Sequence, residues 1–311
     1  MTSRLTIGTR GSALALWQAN HVADRLRAAD PELEVELQVI KTKGDKILDV
    51  ALSKVGGKGL FVKEIEEALM RKEIDLAVHS MKDVPAELVD GATLSAISER
   101  EDPRDALVSC GRYTLETLPE GATVGTSSLR RRTQLLAKRP DLAVADLRGN
   151  VDTRLRKCEE GQFAAVILAA AGLRRLGYAD KIDQALDAEH WLPAVGQGAL
   201  GIETRADDQD VLSRVAVLHD QQSADAVIAE RALLLALDGG CQVPIAGYAR
   251  CEGDSLRLSA LVGHPSGEPT FRVEGTAPRS EAAELGRSLA QQLLAQGADR
   301  VLREVYGENA R

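Results

Sequence analysis

The residues of this chain that could do chemistry fall in three places. The first is a basic window. Between positions 127 and 175 there are eleven basic side chains against five acidic ones, in a protein of net charge −8. Arg130 and Arg131 follow one apolar run, Arg148 a second, and Arg174 and Arg175 a third. Guanidinium forks grip carboxylates or phosphates through paired N–H donors. In doubly wound sheets the ends of the strands form the ligand crevice. The pattern therefore reads either as a cleft for a polyanionic ligand or as a solvated basic face.

The second place is His79-Ser80-Met81-Lys82-Asp83-Val84-Pro85, just past an apolar run. Asp83 beside Lys82 could stabilise a cationic intermediate or move protons; it could equally be a turn aspartate ahead of a proline. The His79/Ser80 pair lacks a G-x-S-x-G elbow, so His79 reads as a hydrogen-bonded histidine at a strand end. The third place is Gly239-Gly240-Cys241-Gln242-Val243-Pro244. Paired glycines allow backbone shapes that bring a thiol close to its neighbours. Cys241 is then either a reactive thiolate or a buried structural cysteine. The four cysteines make no C-x-x-C pair and no zinc spacing, and no metal is expected. Gly56-Gly57-Lys58-Gly59 and Gly8-Thr9-Arg10-Gly11 fall short of the phosphate-loop signatures.

These groups need elements to hold them. Apolar runs at 4–8, 33–40 and 74–79 read as strands, with helices at 12–29 and 61–71 between or beside them. The same order recurs as strands at 122–126, 142–147 and 163–169 with helices at 127–139 and 151–160. Ile7-Gly8-Thr9 and Val124-Gly125-Thr126 match at the first turn of each set. Such alternation implies two α/β units with parallel strands and right-handed crossovers. Connections are expected at 98–105 and near 192–201. Beyond about 220 the style changes: a helix at 223–237, alternating runs at 255–262 and 270–275, then a helix with Leu285, Leu289 and Leu293 on one face. Residues 41–60, rich in glycine and lysine, form a long loop that is either functional or a surface excursion.

Composition removes several classes. With 44% hydrophobic and 28% charged residues the chain is globular rather than disordered. The acidic balance and nine aromatic residues disfavour a nucleic-acid binder. No apolar run approaches the roughly 20 residues of a membrane span. The N-terminal segment lacks a secretory apolar stretch, so a cytoplasmic location is expected.

Taken together the motifs resemble the porphobilinogen deaminase family of tetrapyrrole biosynthesis. They are Thr9-Arg-Gly-Ser-Ala-Leu-Ala-Leu-Trp-Gln18, Val55-Gly-Gly-Lys-Gly-Leu-Phe-Val-Lys-Glu64, Ala77-Val-His-Ser-Met-Lys-Asp-Val-Pro85 and Glu101-Asp-Pro-Arg-Asp105. Further on come Val124-Gly-Thr-Ser-Ser-Leu-Arg-Arg131, Leu147-Arg-Gly-Asn-Val-Asp-Thr-Arg-Leu155, Pro193-Ala-Val-Gly-Gln-Gly198 and Gly239-Gly-Cys-Gln-Val-Pro244. They stand in family order across nearly the whole chain. Arg132, which extends the usual arginine pair, and Cys158 are departures outside the motif positions.

The resemblance implies an enzyme that joins four porphobilinogen molecules head to tail, with loss of ammonia, to give hydroxymethylbilane. It implies a dipyrromethane cofactor in thioether linkage to Cys241, and a catalytic carboxylate at Asp83. Lys82, Thr126, Ser128, Arg130 and Arg131 would bind the cofactor. Arg10, Ser12, Arg148, Arg154, Arg175, Lys58, Phe61 and Gln197 would bind substrate, with Lys58 and Phe61 beside a mobile loop. The implied fold is α/β: two similar periplasmic-binding-protein-like domains with parallel-rich sheets plus a small α+β C-terminal domain. The implied boundaries are 1–98 with 199–218, 104–193, and 221–311. A monomer is implied, with no nucleic-acid or membrane partner. The main alternative is a non-catalytic anion-binding clamp module.

Overall fold

The computed structural model describes residues 4–46, 62–239 and 243–307. The chain opens with β1 (Arg4–Thr9), which runs parallel to β2 (Glu34–Val39) and to β3 (Leu76–Ser80). Between β1 and β2 lies α1 (Ala13–Ala29). Ser12 caps its N-terminus, accepting from the Ala15 amide, and Ala19, Val22, Ala23 and Leu26 turn to the core. A single helical turn at Lys43–Lys46 and α2 (Lys63–Met70) precede β3; α2 buries Ile65, Ala68 and Leu69. β4 (Ala92–Ile97) follows.

The chain then crosses into a second sheet through β5 (Asp105–Val108). There β6 (Thr123–Gly125), α3 (Leu129–Lys138), β7 (Ala143–Ala145), α4 (Val151–Glu159), β8 (Ala165–Ala169), α5 (Ala170–Arg175) and β9 (Gln184–Ala185) succeed one another. Ser128 caps α3 as Ser12 caps α1. The chain returns through β10 (Leu200–Arg205).

The two sheets have one topology. Their orders are β2-β1-β3-β10-β4 and β7-β6-β8-β5-β9. In each, the first three strands are parallel and the fourth is antiparallel to both its neighbours. That fourth strand is in both cases the one entering from the other sheet: β5 after the first crossing, β10 after the second. The strand–helix repeat read from sequence is observed; the inserted strands were not expected from it. Half the pairings are antiparallel because each lobe borrows a strand that arrives from the opposite direction.

After α6 (Gln209–Val215) and α7 (Gln221–Ala236), a third unit forms. It is an antiparallel meander of β11 (Ile245–Glu252), β12 (Ser255–Gly263) and β13 (Thr270–Pro278), then α8 (Ala282–Ala295) and α9 (Ala298–Tyr306). Leu233 of α7 and Leu289 and Leu293 of α8 pack on Leu256 and Leu258 of β12. The α/β class, with two lobes of one topology and parallel-rich sheets plus a small α+β unit, is thus the one the chain adopts.

Candidate active site

A cavity of about 270 Å³ lies where the three units meet. The first lobe supplies Lys82 and Asp83, on a short 3-10 turn (Met81–Asp83) that continues β3. Met81 anchors that turn: it is buried, and its amide donates to the Ala199 carbonyl (3.0 Å). The backbone of the returning segment presses against it. Gly196 has φ +70°, and a Cβ there would stand 2.8 Å from the Met81 Cβ, so a side chain would push the turn away.

The second lobe supplies Thr126, Ser128, Arg130 and Arg131 from the start of α3, and Arg148 and Arg154 from the start of α4. The first amides of α3 add a positive end to the wall. Thr126 Oγ1 accepts from the Ser128 amide (3.2 Å) and Ser128 Oγ from the Arg131 amide (3.4 Å). Gln197 closes the wall from the returning segment. Arg231, Leu234, Val243 and Ile245 close it from the third unit.

The arginines divide into two sets. Arg130 and Arg131 are buried and converge on the fully buried carboxylate of Asp105. Arg130 binds it in a fork (2.7 and 3.2 Å), and Arg131 donates through Nε (3.1 Å) and a terminal nitrogen (2.8 Å). Trp191 Nε1 (2.8 Å) and Gln197 Nε2 (2.9 Å) also donate to Asp105. Burial alone would raise its pKa, but the two guanidinium groups hold it well below the usual carboxylate range. Asp105 has no role among the motifs legible in the sequence. Its signal was an acid opening an otherwise apolar strand, Asp105-Ala-Leu-Val108, which demands a buried partner.

Arg148 and Arg154 form the other set. One terminal nitrogen of Arg148 is buried with no hydrogen-bond partner among the described residues, and so is Gln197 Oε1. Arg154 donates Nε to the Gly149 carbonyl (2.7 Å). Desolvation pushes it down to about 10, with Arg131 and Arg148 adding to the shift and Asp83 opposing it. Lys82 is pushed down to about 8, chiefly by desolvation, while Asp83 acts the other way. The cavity thus holds crowded, under-solvated positive charge that outnumbers the two carboxylates of its lining, Asp83 and Asp146, which is an environment that favours a bound polyanion.

Other residues named from sequence lie elsewhere. Arg10 and Ser12 sit at the β1–α1 turn, outside the cavity lining, with Ser12 serving as the helix cap. Arg175 donates to the Gly198 carbonyl (2.6 Å) and lies 5.7 Å over the Trp17 ring, at the junction of the lobes. Arg132 reaches the Pro265 carbonyl of the third unit (3.1 Å), so its role is contact between units. Lys58, Phe61 and Cys241 lie outside the described residues. Val243, two positions past Cys241, lines the cavity. Arg231 was missed in sequence: it lines the cavity and also donates to the Pro85 (2.8 Å) and Ala86 (3.0 Å) carbonyls just past Asp83.

Two α/β lobes meeting over such a cavity define a two-lobed protein with a positively charged cleft between the lobes. Residues 5–213 match the porphobilinogen deaminase dipyromethane cofactor binding domain, and residues 224–295 the porphobilinogen deaminase C-terminal domain. The chain belongs to the porphobilinogen deaminase family. That makes it a transferase of tetrapyrrole biosynthesis with a dipyrromethane cofactor, rather than a non-catalytic clamp. Among solved structures, the methionine binding protein MetQ is similar at 16% identity, over 74% of this chain and 96% of that one, with a TM-score of 0.45. A putative methionine-binding lipoprotein of Bacillus subtilis matches at 13% identity, over 72% and 93%, with a TM-score of 0.43. No helix among the described residues is long and apolar enough to cross a membrane.

Proposed function

We propose that the cavity between Asp83 and the Arg148–Arg154 pair is where four porphobilinogen molecules are joined head to tail to hydroxymethylbilane. The observation that supports this most is the meeting of one carboxylate from the first lobe with the under-paired Arg148 guanidinium from the second. Each pyrrole carries acetate and propionate, so the growing chain is a polyanion that this wall suits.

Arg148 offers its unpaired N–H donors to a side-chain carboxylate, and Arg154 and Lys82 complete the charge match. Thr126 and Ser128 orient carboxylates from the α3 N-terminus. Asp83 faces the pyrrole nitrogens, where it accepts an N–H hydrogen bond and offsets positive charge as ammonia leaves. Each cycle makes one carbon–carbon bond, expels one ammonia and returns one proton, which Asp83 carries. Arg130 and Arg131 act in part through Asp105: it fixes their planes and leaves their remaining donors toward the cavity. The residues present fit a dipyrromethane: the orphaned Arg148 nitrogen and Gln197 Oε1 lie buried on its walls. When bound, that group supplies the priming end to which substrate is joined; Cys241 is the residue we assign to hold it.

The same reading takes 1–98 with 199–218, 104–193 and 221–311 as domains, which follows sheet membership. It also takes the protein as a cytoplasmic monomer acting on a small molecule; the net charge of −8 weighs against a polynucleotide partner. Intact mass and peptide mapping test the site. An excess of two linked pyrrole units on Cys241 is expected. A mass unchanged after incubation with porphobilinogen, with no ammonia released, overturns the reading.

A further inference from the structure

We propose that Cys110 and Cys158 are a reversible dithiol–disulfide pair that clamps α4. Their sulfurs stand 3.7 Å apart, although 48 positions separate them in sequence. Cys110 is exposed just past β5, and Cys158 is fully buried in the last turn of α4. An oxidant therefore meets Cys110 first. Cys110 is a non-glycine residue with φ +58°, followed by Gly111 at φ +75°. The turn that presents it holds a backbone shape such residues avoid, as functional positions often do. The two sulfurs need to close from 3.7 Å to about 2.05 Å to form the bond.

The chemistry balances with a low-molecular-weight disulfide as oxidant. The Cys110 thiolate attacks one of its sulfurs, forming a mixed disulfide and expelling one thiolate. The Cys158 sulfur then gives up its proton and attacks the Cys110 sulfur, expelling the second. Two protons and two electrons leave the protein, and two small thiols form. Burial pushes the resting Cys158 thiol up to about 12, with Cys110 itself the next cause. Converting Cys110 to a mixed disulfide removes its hydrogen bond and its charge from beside Cys158. The Arg112 guanidinium, 3.9 Å from the Cys158 sulfur, then stabilises the attacking thiolate.

The position of Cys158 gives the bond a consequence. Cys158 lies four residues after Arg154 on the same face of α4. Drawing the C-terminal end of α4 toward β5 moves the face that carries Arg154 to the cavity wall. This last step rests on the reading of the cavity given above.

The holoenzyme is incubated with oxidised glutathione, then with dithiothreitol. The expected product loses about 2 Da and maps to a Cys110–Cys158 linked peptide, with Tm raised by about 5 °C and reversal by the reductant. The KM for porphobilinogen should change at least about twofold on oxidation, and recover. Cys110→Ser and Cys158→Ala, treated alike, should give no 2 Da loss and no change in KM. Retention of a glutathione on Cys110 in the unsubstituted protein, or a bridge to another cysteine, overturns the pair. A correct bridge with unchanged KM overturns the coupling to α4. Mass and Tm decide the pair even where the enzyme turns over nothing, so the two readings fail separately.

Discussion

One residue type does two jobs at this site, and burial with its partners tells them apart. Arg130 and Arg131 spend most of their donors on Asp105 and on the Leu192 and Ile167 carbonyls. Arg148 keeps a buried nitrogen without a partner. Asp105→Asn should therefore cost about 3 kcal/mol or more in urea unfolding, because two buried guanidinium groups lose their counter-charge. Arg148→Ala should stay within about 1 kcal/mol of the parent yet raise KM tenfold or more in steady-state assays. Equal stability losses in the two variants would contradict the division. Asp83→Asn should leave the protein folded, with a modest loss in unfolding stability as Lys82 and Arg154 lose a counter-charge, while kcat drops by about 10² or more.

Lys82 carries a sign that can be checked. Its folded pKa of about 8 lies below the ordinary lysine value. Bound carboxylates favour its charged form, so KM should rise as pH passes upward through 8, and Lys82→Arg should flatten that rise. In stability the unfolded chain binds the proton more tightly, so the penalty is largest below pH 8 and fades as pH rises toward the unfolded value. Lys82→Met should thus stabilise the protein at pH 7 by about 2 kcal/mol, visible as a higher Tm, while impairing substrate binding. The basic window and the Lys82-Asp83 turn were legible as types and spacing. Asp105 and Arg231 were not, because their meaning lies in partners 25 and 147 residues away.

At the scale of elements, the repeated strand–helix order was legible because parallel strands covered on both faces read as short apolar runs. β10 escaped that rule. Its sequence, Leu-Gly-Ile-Glu-Thr-Arg, ends in charged and polar residues that are nonetheless buried throughout. Glu203 meets His79 of β3 (2.8 Å), and Arg205 binds Asp208 and donates to the Leu69 and Ile74 carbonyls (3.0 and 2.7 Å). β5 escaped for the same reason at Asp105. Strands inserted between lobes are chosen by partners on both sides, and no local period reports that.

Glu203 also faces Glu66 of α2, and each has a carboxylate oxygen buried without a partner among the described residues. Burial first, and Glu203 second, push the Glu66 pKa up. The folded state then holds a proton that the unfolded chain releases. Its stability falls as pH climbs above the ordinary glutamate value and stops falling once Glu66 ionises in the fold. Glu66→Gln should remove this term. In urea unfolding at pH 5 and pH 8, the variant's advantage should be greater at pH 8. An advantage that is equal or greater at pH 5 would show that the two carboxylates do not compete for the buried space.

On the scale of the molecule, both crossings between lobes are held by the third unit through one carboxylate. Glu230 of α7 is fully buried. It accepts a fork from Arg100 on the outgoing segment (2.6 and 3.1 Å), the Gly196 amide on the returning segment (2.6 Å) and the Ala249 amide of β11 (2.8 Å). Arg100 in turn donates to the Gln197 carbonyl (2.8 Å), which ties the two segments together. The returning segment also needs Gly198, at φ +98°, where a Cβ would collide with the Glu101 carbonyl. Sequence reading placed the crossings, yet nothing local to either of them points to a residue 130 positions on from Arg100. Removing one partner strands a buried charge and opens the tie, so Arg100→Met and Glu230→Met should each cost about 3 kcal/mol or more. The double variant replaces both with apolar side chains and should cost clearly less than the sum, a coupling of about 2 kcal/mol. With the tie gone, the two crossing segments lose their shared anchor in the third unit. Chain elongation needs a cavity that enlarges as pyrroles are added. If the tie limits that enlargement, the double variant should shift the distribution of enzyme–intermediate complexes seen by native mass spectrometry toward longer chains. An unchanged distribution in a stable double variant would mean that room for the growing polyanion is made elsewhere than at the crossings.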